Sequence, residues 1–200
     1  MFIETVPESA ATGDLADYYE HQRAGWGFLP DYAGAFGPRP EVAEAWNTLN
    51  GTIRRGMDRR RFELATIAAA RALRSTYCTA AHSMFLRDVC GDEQTLRTLA
   101  EDPSGATLSE QDRAVYAFAG KVATDAASVE QADVDALRAV GLSDADVADV
   151  VYAAAARSFF TRVLDGLGAQ LDAETAASFP PELLDGMVVG RPVGAPRTPA

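Results

Sequence analysis

The apolar residues of this chain follow the pattern of a set of helices joined by short turns. They recur every three to four residues, the spacing of one helix face, and no alternating segment is long enough for a strand. Polar N-caps and glycine or proline stops divide the pattern into segments. The predicted helices cover residues 14–23, 40–55, 59–73, 77–89, 92–101, 109–124, 130–140 and 143–167. The sequence therefore predicts an all-α fold.

The length of 200 residues suits one domain. We expect an irregular N-terminal segment over residues 1–13, a helical domain over 14–170 and a C-terminal tail over 171–200. From Ser178 onward the tail is rich in proline and glycine, a composition typical of chain without a core of its own. We expect this part to be extended, partly disordered or wrapped on a partner.

The charge of the chain excludes some classes of function. Eighteen basic and 29 acidic residues give a net charge of −11, which argues against binding to duplex nucleic acid, where an excess of Lys and Arg neutralises phosphates. The sequence has no uninterrupted apolar stretch of the length that crosses a membrane, and its start lacks the features of a secretory signal. With two cysteines in all, these features predict a cytoplasmic protein with free thiols.

Cys78 and His82 form the strongest chemical signal. They are four residues apart and therefore share one helix face. Ser75 and Thr76 predict a break before this helix, so Cys78 falls in its first turn, where the helix dipole favours the thiolate and His82 can act as its base. The alternative is a buried structural cysteine, because the spacing alone has little specificity. Cys90 and His21 are predicted to be structural and surface residues, respectively.

Glu63 strengthens the chemical interpretation of this pair. It lies on an alanine-rich, apolar helix, where a carboxylate needs a partner. If the chain turns back near Ser75, Glu63 comes level with His82, and we expect a relay from Glu63 through His82 to Cys78. The alternative is that Glu63 pairs with a nearby arginine, the candidates being Arg59, Arg60, Arg71 and Arg74.

The pattern of Glu63, eleven residues, Ser75-Thr-Tyr-Cys78, three residues and His82 resembles the signature of the alkylhydroperoxidase D (AhpD)-like, carboxymuconolactone decarboxylase superfamily. The segments GWGFLP, LRAVGLSDADVADVV and RSFFTRVLDGLG are similar to its longer, peroxidase-related members. The resemblance implies an AhpD-like helical bundle, a homo-oligomer (dimer, trimer or hexamer) and a thiol peroxidase that reduces organic hydroperoxides without a bound cofactor or metal. It also implies that Cys78 is the peroxidatic cysteine, His82 the relay histidine and Glu63 the relay carboxylate.

Two supporting positions depart from that pattern. Ser75 stands where dithiol members carry their first cysteine, and a serine cannot form the disulfide that restores the enzyme. Either an external thiol reduces Cys78, a cysteine from elsewhere such as a neighbouring subunit's Cys90 resolves it, or peroxidase activity is lost. Ser75 also fits as an N-cap. Tyr77 stands where some members have a second relay histidine, and its phenol is a poor base at neutral pH.

Three other functions are compatible with these residues. Glu63 and His82 could perform acid–base chemistry on an anionic lactone or keto acid, as the decarboxylase branch implies, and an arginine facing the pocket would favour this function. Cys78, His82 and Glu63 could bind zinc, although the spacing is unusual for that metal. A non-catalytic member of the family is the third alternative.

The arginines and aromatic residues near the motif each have a functional and a structural interpretation. The run Arg54, Arg55, Arg59, Arg60 and Arg61 could attract an anionic substrate, or could be a solvated helix end that pairs with acidic residues. Arg157 and Arg162 lie in an otherwise apolar helix, and we expect a buried or interface ion pair for Arg162. Four aromatic residues could line a pocket or belong to the core, namely Trp26, Phe28, Tyr32 and Phe36.

Overall fold

The fold is that of a computed structural model, which describes residues 1–196. Eleven α-helices, and no strand, are found within these residues: α1 Asp14–Trp26, α2 Asp31–Phe36, α3 Pro40–Gly56, α4 Arg59–Ala72, α5 Thr76–Asp88, α6 Glu93–Glu101, α7 Glu110–Asp125, α8 Gln131–Ala139, α9 Asp144–Leu167, α10 Ala173–Ala177 and α11 Pro181–Met187. Short 3-10 turns cover Glu8–Ala10 and Ala126–Ser128. The predicted all-α class is confirmed.

Helix α4 is the centre of the bundle and packs against α5, α7 and α9. Its interior positions are largely alanine, for example Ala65, Ala68 and Ala69, and these small side chains allow the neighbouring helices to approach closely. The carboxylate of Asp58 accepts a hydrogen bond from the amide of Arg61 and caps the start of the helix, as the sequence predicts. The chain therefore reaches the functional motif on a rigid, central element.

Two apolar clusters meet at the hairpin of α4 and α5. The larger one joins α4 to α6, α7, α9 and the C-terminal segment. The smaller one is built by α1, α2 and α3 against the other faces of α5 and α9, and it contains Tyr77 and Cys78. The motif cysteine thus lies where the N-terminal helices cover α5.

Part of the C-terminal segment differs from the predicted tail, which the sequence indicates to be extended, partly disordered or wrapped on a partner. Helices α10 and α11 pack on the chain itself, with Leu183 and Met187 buried and Arg71 donating a hydrogen bond to the carbonyl of Gly186. The apolar residues among the prolines explain this difference, because they complete the core that α4, α5 and α6 leave open. The part of the prediction that concerns residues 197–200 lies outside the described residues, and the domain boundaries themselves stay a prediction.

None of the helices within residues 1–196 is both long enough and apolar enough to cross a membrane.

Candidate active site

A sharp break between α4 and α5 sets the geometry of the site. Arg74 adopts a left-handed backbone conformation with φ of 59°, Ser75 is extended, and α5 begins at Thr76. The break reverses the chain, so α5 returns along α4 and brings His82 beside Glu63. The predicted hairpin is therefore present, and Cys78 lies in the first turn of α5.

Glu63 holds His82 through a short hydrogen bond. The Nδ1 of His82 lies 2.5 Å from the Oε2 of Glu63, and the Oε1 of Glu63 accepts a hydrogen bond of 2.6 Å from the Nε of Arg59. The Glu63 side chain is fully buried. Both alternatives for Glu63 are therefore observed together, since the same carboxylate contacts the histidine and a nearby arginine.

The protonation states of this pair follow from burial and charge. Burial, and then the positive charge of Arg157, lower the pKa of His82 to about 4, so its imidazole is neutral at pH 7. Burial alone would raise the pKa of Glu63, but the contacts with His82 and Arg59 outweigh it and the pKa is lowered. An ionised Glu63 accepts the Nδ1 proton of the neutral ring, which leaves Nε2 unprotonated as a potential base.

The environment of Cys78 corrects the expectation of a stabilised thiolate. The side chain is buried, with 1% of its surface exposed. Burial raises the pKa of the Cys78 thiol, although the nearby charge of Arg157 and contact with Ser75 oppose the effect. The sulfur lies 3.6 Å from a guanidinium nitrogen of Arg157. The resting cysteine is therefore a thiol, because the effect of burial on its pKa exceeds the opposing effects of Arg157 and Ser75.

The predicted relay is continuous from Glu63 to His82 and ends there. Within residues 1–196 no hydrogen bond joins His82 to Cys78, but both side chains line one cavity of about 170 Å³. A group that enters this cavity can carry a proton from one side chain to the other. The arrangement is thus a carboxylate–histidine pair and a thiol that face a common substrate space.

Ser75 and Tyr77 have supporting positions outside this relay. Ser75 is the N-cap residue of α5, as the sequence predicts, but its side chain makes no capping hydrogen bond. Its buried hydroxyl instead lies near the Cys78 thiol and the Asp165 carboxyl and acts to lower the pKa of both, against the larger effect of burial. Tyr77 is buried and its hydroxyl donates a hydrogen bond to Asp172, so it fastens α5 to the C-terminal segment.

Arginine and aromatic side chains complete the cavity wall. Arg59 and Arg157 touch the motif residues directly, while Arg54 lines the cavity from an exposed position on α3. The aromatic members of the wall are Trp26, Tyr32, Trp46, Phe62, Tyr77, Phe85 and Phe160. The sequence shows Arg157 as an unusual residue in an apolar helix but does not predict that it lies beside Cys78. The pairing of Arg59 with Glu63 is predictable, because residues four apart share one helix face.

The remaining residues that the sequence singles out do not belong to the cavity. Of the arginine run, Arg60 pairs with Asp92 and Asp112, and Arg61 with Asp146.

Arg162 is exposed and has no ion pair within residues 1–196, so a buried pair inside this part of the chain is excluded. The partly exposed Cys90 and the exposed His21 do not line the cavity. Among the described residues no group of three or more His, Cys, Asp or Glu is arranged to hold a metal ion, so the zinc alternative gains no support.

The buried, neutral His82 predicts that the fold loses stability in acid. Its pKa is about 4 in the folded chain against an ordinary value of 6.5, so the unfolded state binds more protons between these limits. The free energy of unfolding should therefore fall as the pH decreases from 6.5 through 4, by up to about 3 kcal/mol from this residue. Urea unfolding of the wild type and of His82→Gln at pH 7, 6, 5 and 4 gives the free energy of unfolding as a function of pH for each protein. The difference between the two slopes is the contribution of His82. His21→Gln, at the exposed histidine, should retain the wild-type slope, and equal slopes for all three proteins would contradict the assignment.

Comparison with known proteins relates this site to a family. Residues 40–102, which contain α3, α4, α5 and the complete Glu63–Cys78–His82 motif, match the carboxymuconolactone decarboxylase family. No curated protein has a significant sequence match to the chain.

Several solved structures share the fold. An uncharacterised peroxidase-related protein with an AhpD core from Ralstonia eutropha JMP134 superposes with a TM-score of 0.76 and 22% identity, over 87% of this chain and 93% of its own. A peroxidase-related protein from Silicibacter sp. TM1040 gives a TM-score of 0.71 and 22% identity, over 88% and 91%. The debrominase Bmp8, as a cysteine-to-alanine variant in complex with 2,3,4-tribromopyrrole, gives a TM-score of 0.73 and 20% identity, over 94% and 97%.

Together these comparisons show an AhpD-like fold and a local similarity to one family. Residues 40–102, about a third of the chain, are similar to the carboxymuconolactone decarboxylase family, and the solved structures share the AhpD-like fold. The debrominase among its structural neighbours shows that one fold serves different reactions, so the reaction must be argued from this chain's own site.

Proposed function

We propose that this protein is a single-cysteine thiol peroxidase of the AhpD-like type, which reduces organic hydroperoxides at Cys78. One observation supports the proposal above others: the Cys78 thiol shares a cavity with a neutral histidine whose Nδ1 is held by a buried carboxylate. Such a pair presents an unprotonated imidazole nitrogen at neutral pH, and a buried thiol needs an acceptor for its proton in order to react.

The first step transfers one oxygen atom to the sulfur. A hydroperoxide ROOH enters the cavity between His82 and Cys78, and the thiol proton passes to the Nε2 of His82 through the bound peroxide. The sulfur then attacks the terminal oxygen, the O–O bond breaks, and the imidazolium returns the proton to the leaving RO⁻. Cys78 becomes a sulfenic acid and ROH departs, so the sulfur is oxidised by two electrons and the peroxide is reduced.

The second step needs an external thiol. One thiol R′SH condenses with the sulfenic acid to a mixed disulfide and water, and a second R′SH releases Cys78 as a thiol together with R′SSR′. Ser75 cannot replace this reductant because it has no sulfur, and Cys90 does not line the cavity. The external reductant, a homo-oligomeric assembly and a cytoplasmic location are parts of the proposal.

Acid–base catalysis on an anionic lactone or keto acid is the second candidate. Its specific support is the presence of Arg54, Arg59 and Arg157 on the cavity wall, where they can bind a carboxylate, next to a neutral histidine. This function uses Glu63 and His82 in the same positions and makes Cys78 dispensable. The two candidate functions therefore differ in whether catalysis requires the sulfur of Cys78.

Trapping of the sulfenic acid tests the peroxidase proposal. The reduced protein is mixed with one equivalent of cumene hydroperoxide in the presence of dimedone and analysed by intact mass and peptide mapping. We expect one dimedone adduct, located on Cys78, in the wild type and in Cys90→Ser, and none in Cys78→Ser. A parallel sample with 2,3,4-tribromopyrrole, the molecule bound by the debrominase variant, shows whether this thiol prefers another electrophile. An adduct on Cys90 alone, or no adduct, would overturn the proposal.

A further inference from the structure

We propose that the guanidinium of Arg157 forms an anion-binding subsite beside Cys78, and that its ligand is a small planar organic anion, of which a monocyclic aromatic carboxylate is the simplest. The inference rests on the proposed function in one respect, since it takes the cavity of Cys78 and His82 to be the substrate cavity.

Arg157 is a buried cation without a counter-ion in the described part of the chain. Only 3% of the residue is exposed, and no carboxylate of residues 1–196 forms an ion pair with it. A guanidinium has five N–H donors, yet the one hydrogen bond found for it among the described residues goes to a weak acceptor, the Cys78 sulfur, and Nε has no partner there. Burying an unpaired charge is costly, so an anion that enters the cavity would relieve a penalty already present in the fold.

The sulfur does not neutralise Arg157 in the resting protein. Cys78 carries its proton because burial raises the pKa of its thiol. The rings of Trp46 and Phe160 lie 5.5 and 5.2 Å from the guanidinium carbon and attract the cation without cancelling its charge. They do fix its orientation, so the guanidinium is preorganised for a ligand.

The cavity as a whole is positively charged, like Arg157 itself. Of the three arginines on its wall, Arg59 is engaged with Glu63, while Arg54 and Arg157 have no ion pair within residues 1–196. The chain as a whole carries −11. A positive cavity in an acidic protein concentrates anions at this site.

The shape of the cavity selects a planar ligand of one ring. Its volume of about 170 Å³ is close to the roughly 150 Å³ of an engineered apolar cavity that binds benzene. The rings of Trp46 and Phe160 are stacked, with centroids 5.0 Å apart and planes inclined by 20°, and Tyr32 meets Phe160 edge to face. Aromatic walls with a cation at one end match a ring that carries a carboxylate.

Equilibrium binding tests the subsite without any redox step. Sodium benzoate and its neutral isostere benzamide are titrated into the reduced, peroxide-free protein, with calorimetry and the fluorescence of the cavity tryptophans as readouts. We expect the wild type to bind benzoate at least about tenfold more tightly than benzamide, because a charge-assisted hydrogen bond is stronger than a neutral one. Arg157→Met should lose this preference, Arg157→Lys should retain part of it, and Arg162→Gln, an exposed arginine on the same helix, should retain all of it.

The outcomes separate this inference from the proposed function. A wild type that binds both molecules equally, or neither, would overturn the subsite even if Arg157→Met fails to fold, because that comparison needs no variant. Retention of the benzoate preference in Arg157→Met would overturn it as well. Absence of the dimedone adduct with retained benzoate binding would reject the peroxidase and keep the subsite.

Discussion

Replacing Cys78 with serine is expected to lower the rate of cumene hydroperoxide reduction by a factor on the order of 10³ or more, to the background rate of the assay thiol. The reason is that the sulfur is the atom that is oxidised, and a serine hydroxyl cannot accept the peroxide oxygen at neutral pH. Peroxide consumption with dithiothreitol as the external thiol measures the loss. Cys90→Ser is the matched control, since it removes the other cysteine from a position outside the cavity and should retain the wild-type rate.

The same variant discriminates between the two proposed functions. If the protein is an acid–base enzyme, Cys78→Ser retains turnover of an anionic lactone or keto acid while His82→Ala loses roughly 10²- to 10⁴-fold in rate. If it is a peroxidase, both variants lose peroxide turnover. Cys78→Ser with undiminished peroxide reduction would reject the cysteine mechanism outright.

The parts of the site that sequence predicts well are those set by local rules. The cap at Asp58, the break before Thr76 and the four-residue spacing of Cys78 and His82 each depend on a few neighbouring residues. The turn between two helices of known length then fixes their register, so the pairing of Glu63 with His82 could be predicted from helix geometry alone. The all-α class follows in the same way.

The parts that sequence does not predict depend on packing between distant segments. Arg157 is 79 residues from Cys78, and nothing in the spacing of either residue shows that α9 brings them together. The sequence predicts a low pKa for Cys78 because it shows the helix position of the thiol and not its burial. The composition of the C-terminal segment is typical of disorder, but its few apolar residues fill a gap that exists only once α4, α5 and α6 have packed.

Glu63→Gln is expected to lower the rate of peroxide reduction by roughly 10²-fold while the chain remains folded. The introduced amide has one acceptor, and Arg59 can offer only donors, so the amide oxygen should stay with Arg59 and the amide NH₂ should face His82. The Nδ1 of His82 must then accept a hydrogen bond, which places the ring proton on Nε2. The imidazole keeps its position but loses the lone pair that would take the thiol proton.

The tautomer of His82 distinguishes this positioning role from a merely structural one. Nitrogen-15 chemical shifts of the labelled ring should show Nδ1–H in the wild type and Nε2–H in Glu63→Gln. Asp112→Asn is the matched control, because it also removes a carboxylate from an arginine pair but lies outside the cavity, and it should change neither the tautomer nor the rate. Since the hydrogen bonds of Glu63 go to His82 and Arg59, a loss of rate that accompanies the tautomer change identifies the carboxylate as the group that keeps Nε2 of His82 unprotonated. Wild-type turnover with the ring proton on Nε2 would show instead that another group removes the thiol proton.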